Sequence, residues 1–267
     1  MIFIIIAAVI FAAYVLIENT AVLTMRHEDF GGDIKIAHIS DLHKRSFGKG
    51  NINICKKIKA ENPDLIFISG DLTSRFCLNF SNVEEMLKNL CKIAPVYFIF
   101  GNHETSMPDE SKARFIKLIE NSDAVWLNNC CKTVEINGRR LNICGMELKY
   151  SVYKNNDSYR NLEETSADEI RETIGEKPDG ETILLVHNPI FADAYAEWGA
   201  DYAVCGHVHG GVIRIPFTRI GVLSPERRFF PKYTKGVYKT GRMKLLVSAG
   251  LGKLRLFNPP EIVIYKL

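Results

Sequence analysis

The sequence has no CxxC pair, and its cysteines number seven, which is odd. These features exclude a zinc-finger pattern and give no obvious disulfide framework. Most of the cysteines stand within apolar stretches such as LNICGM and YAVCGH, where a cysteine behaves as a small hydrophobic side chain. We therefore expect nearly all of them to be small buried side chains, and the adjacent Cys130 and Cys131 receive no assignment.

Long runs of one charge are also missing. The 34 basic and 31 acidic residues are dispersed along the chain and give a formal net charge of +3. This balance gives no electrostatic reason to expect a dedicated nucleic-acid binder. The sequence contains neither HExxH nor PCxxC, which disfavours a single-zinc peptidase or deaminase. A hydrophobic content of 46% is enough for a sizeable globular core.

The first 17 residues, MIFIIIAAVIFAAYVLI, contain no charged side chain and no helix breaker. As a helix they would measure about 25 Å, close to the bilayer core of about 30 Å. A cleaved signal peptide is the alternative, but no Lys or Arg precedes the run, and the run exceeds the usual signal core. We expect a single-pass membrane anchor at residues 1–19, a linker at 20–33 and one domain at 34–267. The charges that follow are mixed and favour neither side of the membrane.

Beyond the linker, apolar runs alternate with helix-like segments, which predicts a layered α/β domain. The clearest helix is predicted at residues 82–93, with a capping box of Ser81 and Glu84 and an apolar face of Val83, Met86, Leu87 and Leu90. A polar stretch at 150–180 is expected to be a surface insertion with at most one short helix near 167–174. Eight runs are predicted as strands covered on both faces: KIAHIS, DLIFISG, PVYFIFG, RRLNICGM, TILLV, DYAVCG, KLLVSAG and EIVIYKL.

Polar side chains that could bind metal stand where these runs end, and the carboxyl ends of strands are where α/β domains place their sites. An Asp or Asn after one strand is a common turn residue. Five such strand ends indicate a site, because burying many polar groups is costly unless something pairs them. Of the other histidines, His38 is expected in the core and His27 on the surface of the linker. The strand-end set is Asp41, His43, Asp71, Asn102, His103, His187, His207 and His209.

Oxygen and imidazole ligands without a thiolate suit a transition metal, with manganese first and zinc, iron or cobalt as alternatives. The set is too large for one ion, because zinc usually takes about four ligands and about six is the octahedral limit. We therefore expect two divalent ions. A carboxylate could bridge them at the separation of about 3.5–4 Å that is typical of such sites.

In chain order, DLH, GD, GNHE, an isolated His after a strand and GHVH resemble the five signature motifs of the calcineurin-like metallophosphoesterase superfamily. The resemblance extends from about residue 34 to the C-terminus. It implies an α/β fold in which a layered β-sandwich is flanked by helices. GHVHGG and the closing LRLFNPPEIVIYKL also resemble a bacterial branch of membrane-anchored phosphoesterases related to UDP-diacylglucosamine pyrophosphatase-like phosphodiesterases.

The resemblance also implies a role for each side chain. His103 would hydrogen-bond the substrate phosphate or protonate the leaving oxygen. Glu104 stands where many relatives have Asp, and it would orient His103 through the other ring nitrogen. The metal positions would be Asp41, His43 and His209 for one ion, Asn102, His187 and His207 for the other, and Asp71 as the bridge.

The implied reaction is hydrolysis of a phosphate ester or anhydride by a hydroxide that bridges two metal ions, in a phosphodiesterase or pyrophosphatase. The anchor would hold the site near a bilayer, where a lipid-linked substrate such as UDP-diacylglucosamine is one candidate and a phosphorylated small molecule is another. A nucleotide or nucleic-acid phosphodiesterase is an alternative, because a fold does not define a substrate. A catalytically silent metal-binding membrane scaffold is disfavoured, since no ligand is missing.

The segment at residues 216–236 is rich in Pro, Gly, basic and aromatic residues. It could form a basic aromatic surface for a lipid-linked phosphate, and an ordinary solvated loop is the alternative. Arg227 and Arg228 are the candidate substrate-binding residues. The wider basic aromatic set is Arg214, Arg219, Arg227, Arg228, Lys232 and Lys235 with Phe229, Phe230 and Tyr233.

Overall fold

The computed structural model describes residues 1–156 and 158–267. The helices described in these ranges are α1 (Ile2–Thr20), α2 (Ile52–Glu61), α3 (Ser81–Cys91), α4 (Asn102–Thr105), α5 (Asp109–Glu120), α6 (Ala167–Ile174) and α7 (Ala192–Trp198). The strands are β1 (Thr24–Asp29), β2 (Lys35–Ile39), β3 (Leu65–Ile68), β4 (Val96–Phe98), β5 (Val125–Trp126), β6 (Cys130–Ile136), β7 (Arg139–Met146), β8 (Glu181–Val186), β9 (Tyr202–Cys205), β10 (Gly236–Thr240), β11 (Met243–Val247) and β12 (Glu261–Lys266). All eight predicted apolar runs form strands.

The strands form two sheets of six, in the orders β1-β12-β2-β3-β4-β5 and β10-β11-β9-β8-β7-β6. The first sheet contains a parallel run from β2 to β5. The second contains a parallel run of β7, β8, β9 and β11. Parallel strands end at the same edge of a sheet, so the loops that follow them converge.

The two sheets pack face to face and helices cover the outer faces. Phe67 of the first sheet and Leu185 of the second lie in the core between them. On the outer face of the first sheet, Leu87 of α3 joins a second core, and Tyr195 of α7 does the same for the second sheet. This order of helix, sheet, sheet and helix confirms the predicted fold class.

The stretch predicted as a linker at residues 20–33 contains a strand. Strand β1 runs parallel to β12, in a register from Thr24 opposite Glu261 to Asp29 opposite Lys266. Its sequence, TMRHED, is polar because it occupies a half-buried sheet edge, so it lacks the apolar run on which the prediction relied. The side chain of His27 is 57% exposed, which places it at the surface as expected, but within this strand.

Helix α3 has the predicted apolar face but lacks the predicted capping box. The helix begins at Ser81, and the residue in the capping position is Phe80, whose side chain makes no capping bond. Ser81 therefore lies one position too far into the helix to cap it, and its backbone N–H donates to Asn79 Oδ1 (2.9 Å). Glu84 pairs with Lys88 instead (2.6 Å).

Cys131 and Cys144 form a disulfide, so the expectation of a small free buried side chain at Cys144 was wrong. The two residues lie directly opposite each other in the antiparallel pair of β6 and β7, with their Cα atoms 4.0 Å apart. The disulfide was not predicted because β6 was not predicted. Only the pairing of β6 with β7 places these two cysteines opposite each other. Cys55 and Cys205 are free and buried, as expected.

The polar stretch at residues 150–180 contains the predicted short helix, α6, but it is not confined to the surface. Val152, Tyr153 and Ile170 are buried and belong to the core on the outer face of the second sheet. This stretch therefore contributes to the fold, and Tyr153 reaches the functional site described below.

Candidate metal centre

The segments that follow β2, β3, β4, β8 and β9 bring the predicted Asp and His side chains together. Three overlapping triplets each have ligand atoms within 4.8 Å of one another. Because the triplets share His43 and Asp71, they form one continuous cluster. The triplets are Asp41, His43 and His209; His43, Asp71 and His103; and Asp71, His187 and His207.

The backbone at this cluster adopts conformations that are uncommon for residues with a side chain. Left-handed φ costs about 1–3 kcal/mol for such residues and persists only where the surroundings fix it. A Cβ at Gly206 would lie 1.9 Å from Ser40 Oγ and 2.4 Å from Asp41 Oδ2, so only glycine permits this approach. The cluster residues with positive φ are Asp41 (53°), His43 (52°), Asp71 (53°), His207 (68°) and His209 (51°).

We name Asp41, His43 and His209 the outer group. His209 Nε2 lies 3.3 Å from Asp41 Oδ1, and the Nε2 atoms of His43 and His209 are 3.1 Å apart. Burial lowers the pKa of His43 to about 3, with a further contribution from His209 and against the opposing charge of Asp71. A neutral imidazole is the form that binds a metal. The outer group thus presents two ring nitrogens and one carboxylate oxygen to a shared point.

We name Asn102, His187 and His207 the inner group. His187 Nδ1 donates to the carbonyl oxygen of Ser69 (2.6 Å), which directs Nε2 towards Asp71 Oδ2 at 3.3 Å. His187 Nε2 and Asn102 Oδ1 are both buried and have no hydrogen-bond partner among the described residues. Leaving a buried polar atom unpaired costs about 1–3 kcal/mol. These two orphaned atoms fit a bound cation.

Asp71 lies between the two groups. Its Oδ2 is 3.8 Å from His43 Nε2 in the outer group and 3.3 Å from His187 Nε2 in the inner group. Its Oδ1 accepts the backbone N–H of His103 (2.8 Å), so Oδ2 is the oxygen that faces both groups. Burial opposes the charged form, but His187, His43 and His103 hold the pKa of Asp71 well below its usual range. The carboxylate is therefore ionised beside both groups.

His103 lies at the edge of the cluster, with Nε2 4.0 Å from Asp71 Oδ2 and the side chain 30% exposed. Its Nδ1 accepts the backbone N–H of Arg75 (3.2 Å). In the neutral ring the proton is therefore on Nε2, which points towards the cluster. Burial lowers the pKa of His103, against the opposing charge of Asp71.

Glu104 does not orient His103, contrary to the expectation. Its carboxylate is fully buried and accepts three backbone N–H groups, from Asp71 (2.9 Å), Thr73 (3.0 Å) and Gly101 (2.9 Å). Neighbouring residues of α4 project in directions about 100° apart, so Glu104 points away from the His103 ring. Glu104 supports the loops that carry the cluster.

Two residues at the site were missed by the sequence analysis. The carboxylate of Glu226 contacts His207 Nε2, and the Tyr153 ring lies edge-on to His207 with the ring centroids 4.9 Å apart. Burial opposes ionisation of Glu226, but His207 lowers its pKa to about 2. Glu226 is the single acidic residue between 216 and 236, a signal that was available, whereas nothing marked Tyr153 within its polar stretch.

The predicted basic aromatic set is divided by the fold. Arg228 lines a cleft of about 340 Å³ beside Glu226, whereas the Arg227 guanidinium stands over the Tyr159 ring at 5.4 Å from its centre. Lys235 pairs with buried Glu261 (2.6 Å), and Arg214 donates to backbone and hydroxyl oxygens of its own loop. Arg228 therefore lies near the metal site, whereas Lys235 and Arg214 make contacts that stabilise the fold.

A cleft of about 560 Å³ opens beside the outer group. His43, His103 and His209 line its inner wall, and Lys253 and Leu254 line its outer wall. A phosphate ester could enter here and reach the cluster from the His103 side.

The calcineurin-like phosphoesterase family (Metallophos) matches residues 34–211, and the chain belongs to this family. Its members use divalent metal ions, which agrees with the donor set of the cluster. The family and the donor set together indicate metal-dependent phosphoester hydrolysis. The chain is 28% identical over 255 residues to a protein of Caenorhabditis elegans named as a metallophosphoesterase, F40B5.2, with 92% of this chain covered. The match covers 49% of that relative, so the chain spans about half its length.

Phosphodiesterase YaeI of Escherichia coli (strain K12) is 24% identical over 247 residues, which cover 90% of this chain and 84% of that protein. Among solved structures, the NAD nucleotidase of Haemophilus influenzae superposes with a TM-score of 0.50 at 15% identity. That superposition covers 82% of this chain and 50% of the nucleotidase. At this identity the likeness concerns the fold alone.

Proposed function

We propose that the protein is a phosphodiesterase that uses two divalent metal ions. The outer group, Asp41, His43 and His209, would hold one ion, and the inner group, Asn102, His187 and His207, would hold the other. Asp71, whose Oδ2 faces both groups, would be shared between the two ions. The observation that supports this arrangement most directly is the pair of orphaned buried atoms, His187 Nε2 and Asn102 Oδ1, beside an ionised Asp71.

When bound, two such ions would activate a water molecule and neutralise charge on the phosphoryl group. The protein's own contribution at the leaving group is His103. Its Nε2–H faces the cluster because Nδ1 accepts the Arg75 backbone N–H, so the neutral ring can donate a hydrogen bond from Nε2 to the leaving oxygen as negative charge develops there. Manganese is our first choice of ion, since the ligands mix carboxylate and amide oxygens with imidazoles and include no thiolate.

We further propose that α1 anchors the enzyme as a single-pass membrane helix and that the substrate is a lipid-linked phosphodiester or pyrophosphate, such as UDP-diacylglucosamine. Two observations support this: α1 is long and apolar enough to cross a membrane by length and composition, and YaeI carries the name phosphodiesterase. A signal sequence would have the same composition as α1. A nucleotide diester is the second candidate.

The test uses the full chain in detergent, stripped of metal and reloaded with manganese. Turnover of bis-p-nitrophenyl phosphate and of p-nitrophenyl phosphate would be compared on samples whose metal content is measured. We expect metal-dependent turnover with two ions per chain and a preference for the diester. A preference for the monoester would contradict the phosphodiesterase assignment, and turnover with a single ion would contradict the two-ion site.

A further inference from the structure

Two loops beside the cleft expose an apolar surface. The segment at residues 213–222 forms a hairpin closed by a bridge between Arg214 and Gly221, and a bridge between Ile213 and Leu256 joins it to the loop at residues 253–257. Phe217, at the tip of the hairpin, is fully exposed, and Leu254 is 83% exposed. We name this surface the apolar rim, and its members are Ile213, Ile215, Phe217, Ile220, Leu254 and Phe257.

The outward direction of the hairpin's apolar side chains follows from strand alternation. Ile213 and Ile215 occupy alternate positions before the turn, which place their side chains on the same face of the chain, and Phe217 projects from the turn itself, where its φ is 63°. Arg214, between them, points the other way and donates to the carbonyl oxygen of Gly210 and to Thr234 Oγ1. The polar residue is thus turned inwards and the apolar residues outwards. This is the reverse of the arrangement expected for a hairpin that faces water.

The apolar rim is attached to helix α1. Glu18, buried near the end of α1, accepts the backbone N–H groups of Phe257 (3.0 Å) and Asn258 (2.5 Å). Asn19 exchanges two hydrogen bonds with the backbone of Arg255, at 2.8 and 2.9 Å. These four bonds hold the loop of the rim in one position relative to the helix.

The rim also extends along the helix towards its middle. The Phe257 ring is 5.3 Å from the Tyr14 ring and 6.4 Å from the Phe11 ring, measured between centroids. Phe11 precedes the last helical residue, Thr20, by about 13 Å along the helix axis at 1.5 Å per residue. If α1 crosses the bilayer core, whose thickness is about 30 Å, Phe257 lies below the membrane surface.

The charged side chains within the two segments that carry the rim are all basic. Residues 210–225 and 250–260 contain no Asp or Glu. Lys44, Arg219 and Lys253 are exposed. Basic side chains that flank exposed apolar groups suit the anionic headgroups of a lipid bilayer.

We infer that the apolar rim is a second membrane-contact surface, which inserts into an anionic bilayer beside α1. The inference rests on the membrane anchor of the proposed function and adds the orientation of the domain. Leu254 of the rim and the adjacent Lys253 line the cleft that contains His43 and His103. The cleft therefore opens at the bilayer surface, where it receives a phosphodiester whose apolar part stays in the membrane.

The test places tryptophan in the rim of the full chain. Phe217→Trp and Leu254→Trp variants are reconstituted in vesicles of phosphatidylcholine and phosphatidylglycerol, with and without bromine on the acyl chains. Glu135→Trp is the matched control, because Glu135 is exposed on β6 and this edge strand of the second sheet is not part of the rim. Fluorescence is read as the difference from the wild-type chain, which contains two tryptophans.

We expect bromine to reduce the emission added by both rim variants, with a shift to shorter wavelength, and to leave the control unchanged. Equal emission in the two kinds of vesicle for Phe217→Trp and Leu254→Trp would overturn the inference and favour a protein partner or bare solvent at the rim. Failure of the full chain to float with vesicles would also overturn it. Turnover of bis-p-nitrophenyl phosphate, measured on the same samples, reports separately on the proposed activity.

Discussion

The inner and outer groups of the candidate metal centre differ in burial. The side chains of His187 and His207 in the inner group are 1% and 4% exposed, whereas those of His43 and His209 in the outer group are 15% and 19% exposed. In the inner group, His187 directly follows β8 and His207 lies just beyond the end of β9. Both strands are central in the second sheet. The outer histidines lie farther along their loops, where the cleft opens.

This difference separates a preformed half of the site from an accessible half. His187 is held by Ser69 and lies beside Asp71, so its ring has one orientation before any ion binds. His43 and His209 instead line the cleft through which a substrate would enter. An ion in the outer group should therefore exchange more readily, and one in the inner group should be retained.

The largest expected effect is on Asp71, which both groups share. In Asp71→Ala, both ions should be lost and turnover should fall by more than about 10³-fold, because the shared carboxylate is removed. Metal content and turnover of the full chain would be measured together. Asp179→Ala, at an exposed position, is the matched control. Retention of both ions in Asp71→Ala would show that the two groups are independent.

Removal of His103 should lower turnover without changing metal content. We expect turnover of His103→Ala to fall by about 10²–10⁴-fold, the range typical of a positioned side chain that donates to the leaving group. The loss should be greater for a diester with an alkyl leaving group than for one that releases p-nitrophenolate. The alkoxide carries more concentrated negative charge and therefore depends more on the hydrogen bond from His103 Nε2. A loss that does not depend on the leaving group would assign His103 to phosphate binding, and loss of metal would make it a ligand.

The strand-end positions of the cluster were predictable because parallel strands carry their loops to one edge, and each motif directly follows an apolar run. His38 was also assigned correctly to the core, where it hydrogen-bonds Ser69 (2.8 Å). Glu226 and Tyr153 were not found, because each reaches His207 from a loop whose path depends on tertiary packing. Strand β1 escaped prediction for a related reason: an edge strand needs only one partner and tolerates a polar sequence.

His209→Ala and His187→Ala test whether the outer and inner groups differ in metal binding and in stability. His209→Ala should lose one of the two ions and leave the metal-free protein as stable as the wild type, since this side chain is partly exposed. His187→Ala should lose the inner ion and also lower the metal-free stability, because the Ser69 carbonyl loses its buried hydrogen-bond donor. Metal analysis and thermal unfolding would be read side by side, with His27→Ala as a control outside the centre. Identical behaviour of the two variants would remove the distinction between the groups.

The smallest expected effect concerns Glu104, which supports both groups without touching either ion. Glu104→Ala leaves the buried N–H groups of Asp71, Thr73 and Gly101 without their acceptor, and one such unpaired group costs about 1–3 kcal/mol. Urea unfolding of the metal-free chain should detect this loss, with Glu172→Ala, exposed on α6, as the control. Because Glu104 acts through the backbone of the shared Asp71, metal affinity should weaken equally in both groups. Unequal weakening would place its influence on one half of the centre.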